Sequence, residues 1–218
     1  TASESPFTVP LTPTTIGSIG DLVLITATRV FTLCRDFSQQ PVEYLGVGNL
    51  NVFGLAGTDG FLVVGTNSTT NTTVYGGADN DLFEVSSVNL RIPEDAASNT
   101  GNLDDILGPL TIDAGGGSQN SLKINDYSGA ANPNVVLSQS QITGLAPATI
   151  SYQATGGSFD VLLRGSNSGN DVFTIAGTLA GSTTRIEGLG GGDTFANGPV
   201  GGDNGDLGSG GTDGAASP

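Results

Sequence analysis

Histidine, methionine and tryptophan are absent from this sequence, cysteine occurs once, and six basic residues stand against 21 acidic ones. Each absence excludes something. Glycan-cleaving sites of the β-helix kind need a basic side chain with clustered acids, or paired carboxylates with a supporting histidine. Here Arg29, Arg35, Arg91, Lys123, Arg164 and Arg185 are scattered, so the chain reads as a non-enzyme. A net charge of −15 repels polyanions, which argues against nucleic acid and anionic membrane surfaces as partners and leaves cations and neutral glycans. With Cys34 alone no intrachain disulfide can form, and its Phe31-Thr32-Leu33-Cys34 setting suits a small buried hydrophobe. No apolar run approaches the roughly 18 residues that a membrane helix requires, so no membrane insertion is expected.

What the chain has in quantity is glycine, 35 residues of it. Much of it is concentrated in a recurring phrase. Gly76-Gly77-Ala78-Asp79-Asn80-Asp81-Leu82-Phe83-Glu84-Val85 sets glycines, then acids, then an alternating apolar run. Glycine admits a turn with positive φ, Asn and Asp hydrogen-bond a turn backbone or offer oxygens to a cation, and the alternation suits a strand with one buried face. Related phrases are Gly54–Phe61, Ser166–Phe173 and Gly188–Phe195, with a degenerate one at Gly115–Leu122 that has Asn120 in place of the acid.

Asp59 and Asp81 lie 22 residues apart, as do Asp171 and Asp193. A fixed period of this size marks a repeat architecture in which each unit buries its face on its neighbours. About 22 residues suits strands joined by turns. The intervals from Asp81 to Asn120 and from Asn120 to Asp171 are 39 and 51, which breaks the period in the middle. The fold expected is all-β, a parallel β-solenoid of about 22-residue coils with irregular insertions, its glycine–acid corners aligned on one ridge.

Three regions follow. Residues 1–20 form a Pro/Thr-rich extended arm, whose Phe7, Val9 and Leu11 alternate and could lie along a sheet edge. Residues 21–197 form the solenoid domain. Residues 198–218 are a Gly/Asp-rich acidic tail with too little apolar surface to order itself. Within the domain, Asp21–Phe37 reads as the longest strand, 66–73 as a polar bridge, and Asn102–Pro109 as one short helical turn. Asp104-Asp105 there suits a helix start better than a catalytic pair. Asn67-Ser68-Thr69 and Asn71-Thr72-Thr73 match the N-glycosylation pattern, making Asn67 and Asn71 candidate glycan acceptors. The first residue is Thr, which fits a mature chain whose leader was removed and fits a segment chosen for expression equally well.

Gly76–Glu84 and Gly115–Lys123 resemble the G-G-x-G-x-D-x-U-x pattern of calcium-binding RTX β-rolls, with substitutions at the fourth position and, in the second, at the acid. Asn120–Asp126, Ile142–Tyr152 and Gly169–Ile175 together resemble the Gly-Asn-Asp repeat units of large secreted bacterial surface proteins. That likeness spans roughly residues 50–197 and implies extracellular, stacked β-structure with structural or adhesive roles. It also implies calcium, although RTX phrases run in tandem and these stand singly. A calcium ion needs six to eight oxygens, so adjacent turns would share it. Asp59 with Asp81 and Asp171 with Asp193 are the candidate ligands, and no cofactor is otherwise required. The function expected is a structural subunit of an extracellular filament or cell-surface assembly, whose partners are copies of itself, with glycans as a further candidate. The alternative is a calcium-stiffened adhesin module of a larger secreted protein.

Overall fold

A computed structural model describes residues 7–10, 22–33, 41–87 and 100–198. Cys34, most of the Pro/Thr arm and the tail beyond Gly198 lie outside these residues. The described chain is all-β, with no helix and two mixed sheets dominated by parallel pairs.

Seventeen strands appear in chain order: β1 (Phe7–Pro10), β2 (Leu22–Ile25), β3 (Arg29–Leu33), β4 (Val42–Glu43), β5 (Asn49–Phe53), β6 (Gly60–Val63), β7 (Asn71–Tyr75), β8 (Leu82–Val85), β9 (Leu110–Asp113), β10 (Gln119–Asn125), β11 (Val135–Leu137), β12 (Gln141–Thr143), β13 (Ile150–Gln153), β14 (Ser158–Arg164), β15 (Val172–Ile175), β16 (Thr184–Glu187) and β17 (Thr194–Asn197). Sheet one runs β1-β5-β7-β9-β13-β12-β11-β15-β17, and sheet two runs β16-β14-β10-β8-β6-β2-β3-β4. From β5 to β10 the chain crosses from one sheet to the other at every connection, and it does so again from β13 to β17.

Alternation along each strand sends every second side chain between the sheets. In-register pairing then aligns like with like. Phe61, Phe83, Leu122 and Val161 form one buried row of sheet two, and Val63, Val85, Ile124 and Leu163 form the next. Sheet one answers with Leu50, Thr72, Leu110 and Ile150, and with Val52, Val74, Ile112 and Tyr152. The phenyl rings of Phe61 and Phe83 stack at 5.0 Å, as do Phe173 and Phe195 at 5.3 Å.

Four local expectations change. Asp21–Phe37 is not one strand: β2 and β3 form an antiparallel hairpin. Thr26 makes the turn, its Oγ1 accepting the N–H groups of Thr28 and Arg29, and the reversal puts Val30 rather than Phe31 in the core. Residues 66–73 are not a solvated bridge. Thr66, Thr70 and Thr72 are buried, and Asn71 opens β7 with its amide donating to Asn49 Oδ1. Asn102–Pro109 holds a hydrogen-bonded turn (Ile106 N–H to Leu103 O, 3.0 Å) but no helix, because Leu103 and Ile106 are drawn into the core and Ile106 bridges to Thr66. Finally, β11, β12 and β13 zigzag antiparallel within sheet one, an insertion that lengthens the middle of the chain. The arm's Phe7–Pro10 does lie along a sheet edge, its own, pairing in parallel with β5.

Candidate functional site

The corners are the most repetitive feature of the structure. At four of the five the backbone leaves a strand, takes left-handed φ at the second and fourth residues, and enters the next strand; the Gly165–Asp171 corner is one residue longer and has positive φ at Gly169 alone. Leu55 and Gly57 (φ 75° and 111°), Gly77 and Asp79 (108° and 75°), and Leu189 and Gly191 (73° and 110°) occupy these places. Leucine at positive φ is strained, so Leu55 and Leu189 are held there by their surroundings.

The first glycine of each corner has a different role. A Cβ built on Gly76 would fall 2.3 Å from Asp81 Oδ2 and 2.9 Å from Phe83 Cζ. Gly54 meets Asp59 Oδ2 and Phe61 in the same way, and Gly165 meets Asp171 Oδ2 and Phe173. Glycine, acid and phenylalanine are therefore one packing unit: the missing side chain leaves room for the carboxyl and the ring. At the degenerate corner all three change together, to Ala114, Asn120 and Leu122.

Each acid or amide reaches one level along the stack. The Asp59 N–H donates to Asp81 Oδ1 and the Asp81 N–H to Asn120 Oδ1, both at 2.8 Å. These steps span 22 and 39 residues. A second column repeats the arrangement with the order of spacings reversed. The Asn132 N–H donates to Asp171 Oδ1 (2.5 Å, 39 residues), and the Asp171 N–H to Asp193 Oδ1 (2.8 Å, 22 residues). Nearer the surface, Asp79 Oδ2 accepts from Gly57 N–H and Asn170 Oδ1 from Gly192 N–H.

The five corners do not share one ridge. The column through Asp59 lies where strands of sheet one end and those of sheet two begin, since β5, β7 and β9 lead into β6, β8 and β10. The column through Asp171 lies where β14 and β16 of sheet two lead into β15 and β17 of sheet one. Because β15 and β17 run parallel to β5, β7 and β9, the columns stand at opposite ends of the strands. The interval of 51 between Asn120 and Asp171 joins members of different columns. Asn132, the true neighbour of Asp171, carries no glycine-rich phrase of the usual form and was not legible as one.

Electrostatically the columns are unusual. Asp59, Asp81 and Asp171 are buried, and so is Asp126 beside the second column. Burial pushes the Asp81 carboxyl up to about 7, with Asp59 and Asp79 adding like-charge repulsion. Its Oδ2 has no hydrogen-bond partner. Asp126 is raised to about 6 by burial, although it accepts from Leu103 N–H (3.0 Å) and Asn132 Nδ2 (2.9 Å). Asp171 is raised by burial as well. Among the described residues Arg29, Lys123, Arg164 and Arg185 form ion pairs with glutamates.

The candidate calcium ligands are thus brought together in the pairs expected, Asp59 with Asp81 and Asp171 with Asp193. The Oδ1 atoms of Asp81, Asp171 and Asp193 accept from backbone N–H groups, and Asp81 Oδ2 lies against the Cα of Gly76. Among the described residues no group of three or more potential ligands converges. The described residues alone do not supply the six to eight oxygens of a calcium shell at either column. The geometry instead gives these acids a use in hydrogen bonding the backbone. Asn67, half-buried, accepts from Thr69 N–H and Oγ1, whereas Asn71 is exposed within a strand. Comparison with family models, with characterised proteins and with solved structures finds no match to this chain.

Proposed function

We propose that the two sheets are the walls of a β-solenoid and that the chain is a structural subunit of an extracellular filament or cell-surface assembly. Coils without insertion take 22 residues, as the pairing of Asn49 with Asn71 and of Val172 with Thr194 illustrates. The polar side chains of the corners are spent on binding one coil to the next, which is a mechanical use. The observation that carries the reading is the last described coil. Phe195 lies on Phe173 but is 37% exposed, and all four residues of β17 are exposed. One coil earlier, Phe173 is fully buried. A strand edge with no partner among the described residues, beside exposed apolar surface, favours addition of another chain. Sedimentation and electron microscopy of the purified chain test this: polymers that grow with concentration support it, and uniform monomers at high concentration refute it.

A further inference from the structure

If copies associate, the two ends of the stack should match. Sheet two ends in β4 on one side and β16 on the other; sheet one ends in β1 and β17. β4 is antiparallel to β3, which is antiparallel to β2, so β4 runs the same way as β2 and hence as β16. The antiparallel steps through β12 cancel in the same manner, so β1 runs the same way as β17. A second copy set on the end by translation along the stack would therefore continue both sheets with parallel pairs, as interior levels do.

Charged pairs mark both ends of sheet two. Of the four described basic residues, Lys123 and Arg164 have side chains only 28% and 13% exposed. Arg29 and Arg185 are 49% and 73% exposed, and they sit at opposite ends of sheet two, each beside a glutamate. Arg29 pairs with Glu43 of β4, and Arg185 pairs with Glu187 of β16. Since Val30 and Ile186 point into the core, both pairs project from the outer face. Residues 199–218 carry two large apolar side chains, Val200 and Leu207.

We infer that the occupant of the β16–β17 end is the β1–β4 end of a second copy, joined head to tail: continuing the register sets Glu43 of the next subunit opposite Glu187, with Arg185 reaching that Glu43 on the diagonal and the next subunit's Arg29 one strand beyond. This rests on the filament reading above and adds its direction and contact. A heterologous contact of this type does not close and propagates along the stack. With strands about 4.8 Å apart, eight or nine strands per copy give an axial repeat of roughly 40 Å.

The test is charge reversal in the full chain. Arg185→Glu is expected to raise the concentration needed for assembly by about tenfold or more, because three acids then meet, and adding Glu43→Arg, which sets an arginine opposite Glu187, is expected to restore assembly. Both sites are exposed, and unchanged melting of the unassembled variants checks that each still folds. Polymers unaffected by Arg185→Glu, or not restored by the added Glu43→Arg, would overturn this contact while leaving the filament reading intact. No polymer from the unaltered chain would overturn both.

Discussion

Replacing Gly76 with alanine probes the packing unit that recurs at the corners. Gly76 is not among the positive-φ positions, so its backbone suits alanine and the cost is steric. The new methyl would sit 2.3 Å from Asp81 Oδ2, 2.8 Å from Ala114 O and 2.9 Å from Phe83 Cζ, each well inside van der Waals contact. Two of these neighbours are a buried carboxyl and a ring stacked on Phe61, so neither can swing away freely. Overpacking of this kind costs about 1–3 kcal/mol. For a domain of this size that lowers Tm by roughly 2–12 °C. Trimming the ring should recover part of it, because Ala114 is tolerated where leucine replaces phenylalanine. The assay is a thermal or denaturant melt of Gly76→Ala, Phe83→Leu and the double variant. The double variant should be more stable than the sum of the single losses predicts, by about 0.5–3 kcal/mol. Strict additivity would refute the claim that glycine, acid and ring form one unit.

Other outcomes follow from the same geometry. Asp81 and Asp126 have folded pKa values of about 7 and about 6, above the ordinary 3.8, so the folded chain holds more protons than the unfolded one between these values. Their stabilising contribution is complete below about pH 4 and is lost as pH rises through 6 to 7; Tm measured across this range should fall. Asp81→Asn, which places at this level the residue found at Asn120, should flatten that fall, and an unchanged pH profile would count against the buried carboxyl as its source. Calcium and a chelator should give superimposable melts, whereas a rise in Tm with calcium would show a bound ion that the columns do not assemble. Leu55→Gly should raise Tm slightly by relieving positive φ at an exposed residue, and a marked loss would mean that the Leu55 side chain holds the corner.

Strand positions near the corners were legible because two signals coincide there. Glycines release the backbone, and the alternation of Leu82–Val85 or Val172–Ile175 follows at once. The hairpin at Thr26-Ala27-Thr28 escaped because a threonine hydroxyl, not glycine or asparagine, makes the turn. The second column escaped for a topological reason. A chain that passes back and forth between two sheets turns at both ends of its strands, and similar phrases at both turns look like one series when read linearly. Asn132 follows Ser128-Gly129-Ala130-Ala131, a loop without the glycine–acid signature, yet its backbone occupies the level next to Asp171. The threonines at 66, 70 and 72 read as solvated because their type is polar, while the structure buries them with hydroxyls of Thr66 and Thr70 bonded to Gly108 O and Val47 O.

Diffraction from aligned assemblies of the unaltered chain tests the central claim most directly. A stack of coils joined end to end predicts strands lying across the assembly axis, with a reflection at about 4.7–4.8 Å along it and an axial subunit repeat of roughly 40 Å. Strands running along the axis, or a solution containing only single copies, would contradict the account.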